Sequence, residues 1–373
     1  MKLTAKVKLQ PSPDQAAALL RTLERANEAA DWISGRAWET KTFAQYSLHK
    51  LVYRECRQRF GLSAQTTVRM IGKVADAYKR DRQTKRTFRR QGAIAYDARI
   101  LRWSLEKQTV SIWSIEGRLK VGFVCGLPQQ GLLRTQRGES DLICGRGVFY
   151  LAAACEIPEP EPGSVNGYLG VDLGVVNIAS DCDGRRYSGS ATGSVRCRQR
   201  RLRNKLQKKQ TRAAKRRLKK LAGKERRFAR WVNHNVSKQI VACAEDTGRG
   251  IALEQLKGIR ERVTVRRKQR AVLHSWAFSQ LRMFVAYKAQ REGIPLVLVD
   301  PKNTSRECAI CGHIDKRNRP SQSEFRCVRC GHTAHADTNA ARVIAGRAAV
   351  NPPRASARLS DVCVSLHASA KSL

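Results

Sequence analysis

Four cysteines near the end of the chain constrain its fold more than any other feature. They stand in two Cys-x2-Cys pairs separated by fifteen residues, and a glycine follows each pair: Cys308, Cys311 and Gly312, then Cys327, Cys330 and Gly331. Such pairs supply four thiolates at tetrahedral angles to one ion, and the glycines permit the tight turns that direct backbone amides at the sulfurs. The spacing predicts one structural zinc ion in a ribbon over residues 307–332. Four thiolates leave no open coordination position, so this site would not be the catalytic centre.

The other eight of the 12 cysteines are scattered singly, at positions 56, 125, 144, 155, 182, 197, 243 and 363. Unpaired cysteines beside one metal site indicate a reducing compartment. No apolar run reaches the roughly 18 residues of a spanning helix. The first ten residues alternate in polarity and do not form a signal core. We therefore expect a soluble, intracellular protein.

The charge balance indicates a polyanionic partner. The 373 residues include 72 Lys and Arg against 31 Asp and Glu, a net charge of +41, which exceeds what a small acidic substrate would require. Residues 1–166 carry 28 basic and 16 acidic residues, net +12, and the remainder carries 44 and 15, net +29. Nucleic acid is the natural partner, and the C-terminal half holds most of the excess charge.

The N-terminal half reads as a small β-domain with a helical insertion. Residues 3–9 alternate like a half-buried strand, residues 15–90 have helical periodicity, and four short alternating segments follow between positions 93 and 157. The simplest topology is a small barrel completed by the first strand, although another antiparallel β-domain would fit the same pattern. The Pro-rich stretch 158–163 then marks a domain boundary.

The C-terminal half alternates strands and helices. The pattern predicts an apolar strand from Gly167 with a hairpin at 181–184, a helix over 196–230 and a second helix through Ile240. It then predicts a strand at 250–254, a helix over 272–290 and a strand at 294–299. A last helix over 338–349 and a mobile tail from Pro352 follow.

Three acids in this half have no simple structural explanation when taken together. Asp172 lies in an apolar strand, where a lone carboxylate is costly, Glu254 ends a second apolar strand, and Asp337 begins the last helix. Singly, Asp337 suits a helix cap and Glu254 a strand end. Together they match the ribonuclease H layout, in which carboxylates hold two divalent ions roughly 4 Å apart for phosphodiester hydrolysis. Mg²⁺ suits such oxygen ligands. His335 is close enough to enter the site but is more simply read as incidental.

The predicted helix over 196–230 carries eighteen Lys and Arg and one acid, Glu225. So many like charges repel one another unless a polyanion neutralises them, so an ordinary solvated face is a weak explanation. We predict that this helix binds nucleic acid, with these residues among its contacts: Arg201, Lys205, Lys208, Lys209, Arg212, Arg216 and Arg217.

The motifs of the C-terminal half resemble those of a known family. Gly170-Val171-Asp172-Leu173-Gly174, Leu253-Glu254-Gln255-Leu256, Thr304-Ser305-Arg306-Glu307-Cys308 and Asp337-Thr338-Asn339-Ala340-Ala341 look like the split RuvC nuclease of TnpB (OrfB) proteins. These are transposon-encoded RNA-guided DNA endonucleases related to compact type V CRISPR effectors. The match covers about residues 165–345. Family members often have an acid where this chain has His335, but the three ligand positions agree.

The resemblance implies an α+β multidomain fold. Its parts would be a wedge-type β-barrel (1–10 and 91–158), a helical recognition insert (11–90), a linker (159–166), an RNase H-like RuvC nuclease domain with a long helical insertion (167–306 and 333–350), the zinc ribbon (307–332) and a disordered tail (351–373).

The resemblance also implies an activity. The protein would bind a structured guide RNA, recognise a short motif beside its target, open double-stranded DNA and cut it with two Mg²⁺ ions at Asp172, Glu254 and Asp337. Its setting would be the prokaryotic cytoplasm near the nucleoid, with neither a membrane nor a small-molecule substrate involved. Base pairing would read the sequence, and the protein would supply mainly charge for the nucleic-acid backbone.

Three other functions fit part of the sequence. A DNA strand transferase could use the same acids without a guide. A guided DNA-binding repressor would not cut, and such a protein is expected to have lost one or more of the acids, which are all present. An RNA-associated zinc-ribbon protein would explain the charge and the cysteines but not Asp172 and Glu254.

Overall fold

The structure is a computed structural model that describes residues 1–174, 176–256 and 278–350. Two compact units divide the chain, Met1–Pro158 and Glu159–Leu373. The division falls within the Pro-rich stretch at 158–163. The predicted tail from position 351 and the start of the helix predicted over 272–290 lie outside the described residues.

The first unit contains a seven-stranded antiparallel sheet that forms a nearly closed barrel. Its strands are β1 (Lys2–Gln10), β2 (Ile94–Tyr96), β3 (Leu101–Ser104), β4 (Thr109–Ser114), β5 (Gly117–Val124), β6 (Gln136–Gly145) and β7 (Val148–Glu156). The order across the sheet is β2-β6-β7-β1-β5-β4-β3. Alternate residues of β1, namely Ala5, Val7 and Leu9, are buried, which is the period that the sequence indicated.

A helical block stands between β1 and β2, as the periodicity predicted. It consists of three helices, α1 (Pro13–Glu39), α2 (Gln45–Phe60) and α3 (Ala64–Arg80). Ser12 caps α1 by accepting a hydrogen bond from the Gln15 backbone N–H. The expected extension of this block to Arg90 is wrong, because α3 ends at Arg80 and the chain to β2 is not helical. A short helix, α4 (Leu127–Arg134), connects β5 to β6.

The second unit is built on a five-stranded mixed sheet with the order β10-β9-β8-β11-β12. Its strands are β8 (Tyr168–Asp172), β9 (Asn177–Asp181), β10 (Arg186–Ser188), β11 (Gly250–Glu254) and β12 (Leu296–Val299). The strands β8, β11 and β12 run parallel, and β9 and β10 form an antiparallel edge. All five residues of β11 are buried, as expected for a central strand covered on both faces.

Helices α6 (Arg212–Asp246), α7 (Phe278–Arg291) and α8 (Ala336–Val350) cover the two faces of this sheet, and α5 (Ser190–Lys209) packs against α6. One face packs on apolar residues of α6 and α7, including Val236, Ile240 and Leu281. The other face packs on Ile344 and Ala348 of α8.

The basic run is divided differently from the prediction. It spans two helices, not one, since α5 ends at Lys209 and α6 runs unbroken from Arg212 through the predicted second helix. The break lies at Gln210, whose φ is +49°, and the Thr211 hydroxyl then caps α6 by accepting from the Ala214 backbone N–H. A threonine cap within a uniformly basic stretch carries no hydrophobic signal, so periodicity missed it.

Between β12 and α8 lies the cysteine segment, with a 3-10 turn at Lys316–Asn318 and the strand pair β13 (Glu324–Arg326) and β14 (Thr333–His335). Among the described helices, none is long and apolar enough to cross a membrane.

Candidate functional site

Two of the three predicted acids end neighbouring parallel strands. Asp172 is the last residue of β8 and Glu254 the last of β11. Leu253 is in register with Val171, so the next residues of the two strands, Glu254 and Asp172, finish side by side at one edge of the sheet. Parallel strands bring their carboxyl ends together, which is why an acid at the end of each strand becomes a pair.

A glycine contact brings the third acid over this pair. Gly170 and Asp172 share one face of β8, and Gly170 lies directly beneath Ala341 and Ala345 of α8. A side chain at position 170 would come within 2.6 Å of the Ala345 backbone nitrogen. Asp337 precedes Ala341 by one helical turn, so it lies over the same face one step further along, next to Asp172.

Burial and mutual repulsion make this carboxylate group electrostatically strained. Burial, followed by the nearby charges of Glu254 and Asp337, raises the pKa of Asp172 to about 8, although Arg319 and the Leu173 backbone N–H favour the ionised form. Burial also raises the pKa of Glu254, which is only 7% exposed. Carboxylates held together against their own repulsion are the arrangement that a divalent cation stabilises.

Three further side chains contact the acids and were given no role by the sequence analysis. The hydroxyl of the buried Thr304 donates to Glu254 Oε1 at 2.5 Å. The amide of Asn177 donates to Asp337 Oδ2 at 2.8 Å. Arg319, from the cysteine segment, has its Nη2 3.6 Å from Asp337 Oδ1. Thr304 stood in a motif that carried the family resemblance, whereas nothing in the sequence distinguished Asn177 or Arg319 from their neighbours.

The residues at this edge fit a magnesium site. The donors are hard carboxylate oxygens, which Mg²⁺ prefers. Ser180 is opposite Asp172 in the β8–β9 register, is 1% exposed, and has no hydrogen-bond partner for its hydroxyl among the described residues. An unpartnered buried hydroxyl beside a carboxylate is the kind of group that an ion's water can satisfy.

Within the described ranges, only the four cysteines form a compact cluster of metal-ligating atoms, and the three carboxylates are less tightly grouped. All four sulfurs lie within 4.8 Å of one another. Four soft thiolates so arranged fit one tetrahedral Zn²⁺.

Backbone turns hold the sulfurs in place. Gly312 and Gly331 have φ values of +70° and +74°, and each donates its N–H to the carbonyl of the first cysteine of its pair. Burial opposes ionisation of the Cys327 thiol, but backbone N–H groups of Cys330 and Arg329 donate to its sulfur, and the net pKa is lowered. A lowered thiol pKa favours the thiolate that binds metal.

The cysteine cluster is tied directly to the helix that carries Asp337. The Asn339 side chain accepts from the Ala309 backbone N–H at 3.1 Å and donates to the Glu307 carbonyl at 2.7 Å. Arg347, further along α8, forms an ion pair with Glu307. Order in the cysteine segment is thus transmitted to the start of α8.

His335 acts as a helix cap. Its Nδ1 accepts a hydrogen bond from the Asp337 backbone N–H at 3.3 Å, so it satisfies one of the free amides at the start of α8. Asp337 itself lies inside the first turn and is not the capping residue.

The seven predicted nucleic-acid contacts are all exposed, four on α5 and three on α6. The one acid of the run, Glu225, forms an ion pair with Arg203 between the two helices. None of the seven forms an ion pair with an acid in the part of the chain that the structure describes. Their charge therefore remains available to an external polyanion.

Comparisons with known proteins agree with these motifs. Residues 278–344, which include the cysteine cluster and Asp337, match the Cas12f1-like TNB domain family. Over 119 residues the chain is 40% identical to the CRISPR-associated endodeoxyribonuclease Cas12f1 of Sulfoacidibacillus thermotolerans, which is 32% of this chain and 27% of that protein. It is 34% identical over 114 residues to the TnpB-like protein MJ0751 of Methanocaldococcus jannaschii, which is 30% of this chain and 40% of that protein.

The fold is similar to a solved structure over nearly the whole chain. The mini-RNA-guided endonuclease CRISPR-Cas_phi3 superposes with a TM-score of 0.52 at 10% identity, covering 94% of this chain and 92% of that one. The sequence alignments are shorter and span less than half of either curated relative. Over the aligned parts the chain is thus similar to the Cas12f1 and TnpB-like proteins, and the resemblance indicated by its motifs is confirmed.

Proposed function

We propose that the chain is an RNA-guided DNA endonuclease that binds a structured guide RNA and hydrolyses target DNA at the edge formed by Asp172, Glu254 and Asp337. The observation that carries this proposal is the convergence at one edge of one sheet of three acids, the first and last of which are 165 positions apart along the chain. The names of its relatives and the exposed basic helices support guide RNA and double-stranded target DNA as partners.

In this proposal the five-stranded sheet and its helices are an RNase H-like RuvC domain, and the barrel of the first unit is of the wedge type with helices α1 to α3 as the recognition insert. Recognition of a motif beside the target would fall to that first unit. The chain itself would read little sequence, because guide pairing reads the target while basic side chains hold the backbone.

The carboxylates of Asp172, Glu254 and Asp337 would hold two Mg²⁺ ions, and the chemistry that such ions supply when bound would be activation of water and stabilisation of negative charge in phosphodiester hydrolysis. Thr304 and Asn177 fix the orientation of Glu254 and Asp337 through the hydrogen bonds described above. Arg319 places a permanent positive charge beside the acids, where it can bind a phosphate oxygen. The cysteine cluster, holding one Zn²⁺, fixes the start of α8 and thus Asp337.

The test begins with the purified full-length chain. RNA that copurifies is sequenced, its 3′ segment is replaced by a chosen guide, and cutting of a matching plasmid library is measured with Mg²⁺. We expect a specific RNA and guide-dependent cutting. Glu254→Gln and Asp337→Asn should abolish cutting while guide-directed binding persists, whereas Glu245→Gln, which changes an exposed acid at the end of α6, should cut normally.

Three results would contradict the proposal. Substantial cutting by the Asp337→Asn protein would contradict the assignment of the three acids to the cutting site. Strand joining without any bound RNA would favour a strand transferase that uses the same carboxylates. Tight guided binding without cutting by the unaltered protein would indicate a repressor, which the presence of all three acids disfavours.

A further inference from the structure

An aromatic pair with one exposed member lies on α6 where the basic run ends. Trp231 is 62% exposed, although tryptophan is the side chain that gains most from burial. Its ring stacks on that of the partly buried Phe228, with centroids 6.1 Å apart and planes inclined by 28°. The proposed catalytic edge does not use either residue.

The pair continues a row of positive charges along one face of the helix. Arg217, Lys220, Lys224 and Arg227 recur at alternating spacings of three and four residues, and Phe228 and Trp231 continue the same face. All four cations are exposed. From Arg217 to Trp231 the row spans about 21 Å at 1.5 Å per residue, about the length of six stacked nucleotides of one strand.

Charge decides what can cover the pair. Another protein's apolar pocket would have to bury the flanking cations, which is costly unless acids pair with them. A nucleic-acid strand neutralises the cations through its phosphates and offers base faces to the rings. A double helix keeps its base faces stacked inside, so the matching ligand is an unpaired strand.

The position of the pair selects DNA. Helix α6 is connected to β11 by three residues and packs back along it, with Val236 and Leu253 in the same core. Trp231 lies more than one turn beyond Val236, in the direction in which β11 ends in Glu254, but α6 covers the face of the sheet opposite to α8 and Asp337. A strand that follows α6 would therefore reach the acids around the end of β11. The strand that must reach this edge unpaired is the one to be cut.

We propose that Phe228 and Trp231 form a stacking platform that holds unpaired bases of the DNA strand leading to Asp172, Glu254 and Asp337. The strand's phosphates follow the cationic row, and its bases stack on the outer face of Trp231. The direction of the strand rests on the proposed function, whereas the platform itself can be tested without guide or cleavage.

The experiment compares two labelled 12-unit probes with equal phosphate charge, a mixed-sequence deoxyoligonucleotide and an abasic deoxyribose-phosphate chain. Fluorescence anisotropy with the full-length protein, without Mg²⁺, gives the affinity ratio of the two probes. Stacking of one base contributes about 1 to 3 kcal/mol. We therefore expect a preference of roughly 5- to 150-fold for the probe with bases.

Variants separate stacking from charge. Trp231→Ala should lower the affinity ratio of the two probes towards one, with little change in the salt dependence of binding. Trp231→Phe should keep most of the preference for the probe with bases. Lys224→Gln, the matched control, should weaken both probes equally and leave the ratio unchanged. Trp231 is exposed, so its truncation should not disturb the fold.

A ratio near one for the unaltered protein, or an unchanged ratio in Trp231→Ala, would overturn the platform. The same measurement is made with a ribonucleotide probe of equal length. If Trp231→Ala reduces the preference for RNA over the abasic chain but leaves the preference for DNA over that chain unchanged, DNA as the ligand would be overturned. These outcomes are distinct from failure of the proposed function, which would appear as absence of guided cutting whatever the probe ratio.

Discussion

Replacing Asp172 by asparagine should stabilise the metal-free protein while destroying the proposed activity. The side chain of Asp172 is half-buried beside Glu254 and Asp337, so the folded state disfavours its charge. Asparagine has nearly the same shape and no charge, and its amide can donate to the neighbouring carboxylates. The substitution therefore removes a destabilising ionisation without opening a cavity.

The size of the effect follows from the pKa of this carboxyl. It is raised from 3.8 to about 8 on folding, so near pH 7 the folded protein keeps a proton that the unfolded chain releases. At about 1.4 kcal/mol per pH unit between 3.8 and 7, the destabilisation of the wild type is at most about 4 kcal/mol. The group's pKa is higher in the folded state, so wild-type stability falls as pH rises from about 4 to 8. The gain in Asp172→Asn is small at pH 4 and increases over that window.

Urea unfolding of RNA-free protein tests this, in Mg²⁺-free buffer with zinc retained. Hydrogen exchange of peptides from β8 and β11 identifies the transition of the five-stranded sheet. Asp183→Asn is a control of opposite sign, because a hydrogen bond from Arg249 lowers the pKa of that half-exposed acid. Loss of the Asp183 charge should therefore destabilise the folded protein by up to about 1 kcal/mol. Added Mg²⁺ should stabilise only the wild type. If the gain in unfolding free energy of Asp172→Asn did not depend on pH, or if this variant were less stable than the wild type at pH 7, the reasoning would be refuted.

Three other perturbations have definite expected outcomes. Gly170→Ala should push α8 off the sheet and cost about 1 to 3 kcal/mol, visible as a lower melting temperature and reduced cutting; normal values of both would contradict the close packing of Gly170 on Ala345. Cys308→Ser should release zinc, measured by metal analysis, and reduce cutting and the protection of α8 together; full cutting without zinc would show that the cluster does not support the site. A third variant replaces four basic residues by glutamine, namely Lys208, Lys209, Arg216 and Arg217. The slope of log affinity against log salt concentration, for RNA and for DNA, should become shallower by at most about 0.7 to 0.9 for each phosphate that the protein no longer neutralises. Unchanged slopes would indicate a solvated face.

Local patterns in the sequence were sufficient for the parts of the protein that depend on near neighbours along the chain. The cysteine spacing predicted the cluster because the two turns and their amides are each built within a few residues. Alternation predicted β1, and the apolar run 250–254 predicted a strand with Glu254 at its end. The strand predicted from Gly167 carried Asp172 in its interior, whereas in the structure β8 ends at Asp172 and β9 begins at Asn177. The motifs also indicated the correct relatives. The break at Gln210 was missed because a hydroxyl cap within a charged stretch leaves the polarity pattern unchanged.

Contacts between distant segments were decided only by the tertiary structure. Which strands pair sets which acids meet, and the order β8-β11-β12 places Glu254 beside Asp172. Gly170 matters because α8, some 170 residues later, lies on it. Thr304 and Asn177 acquire their roles through hydrogen bonds that span 50 and 160 positions, and Arg319 reaches the site only because the cysteine segment folds back on α8. Periodicity reports which face of an element is buried, but it carries no information about the partner, since partners are selected by packing between elements distant in sequence.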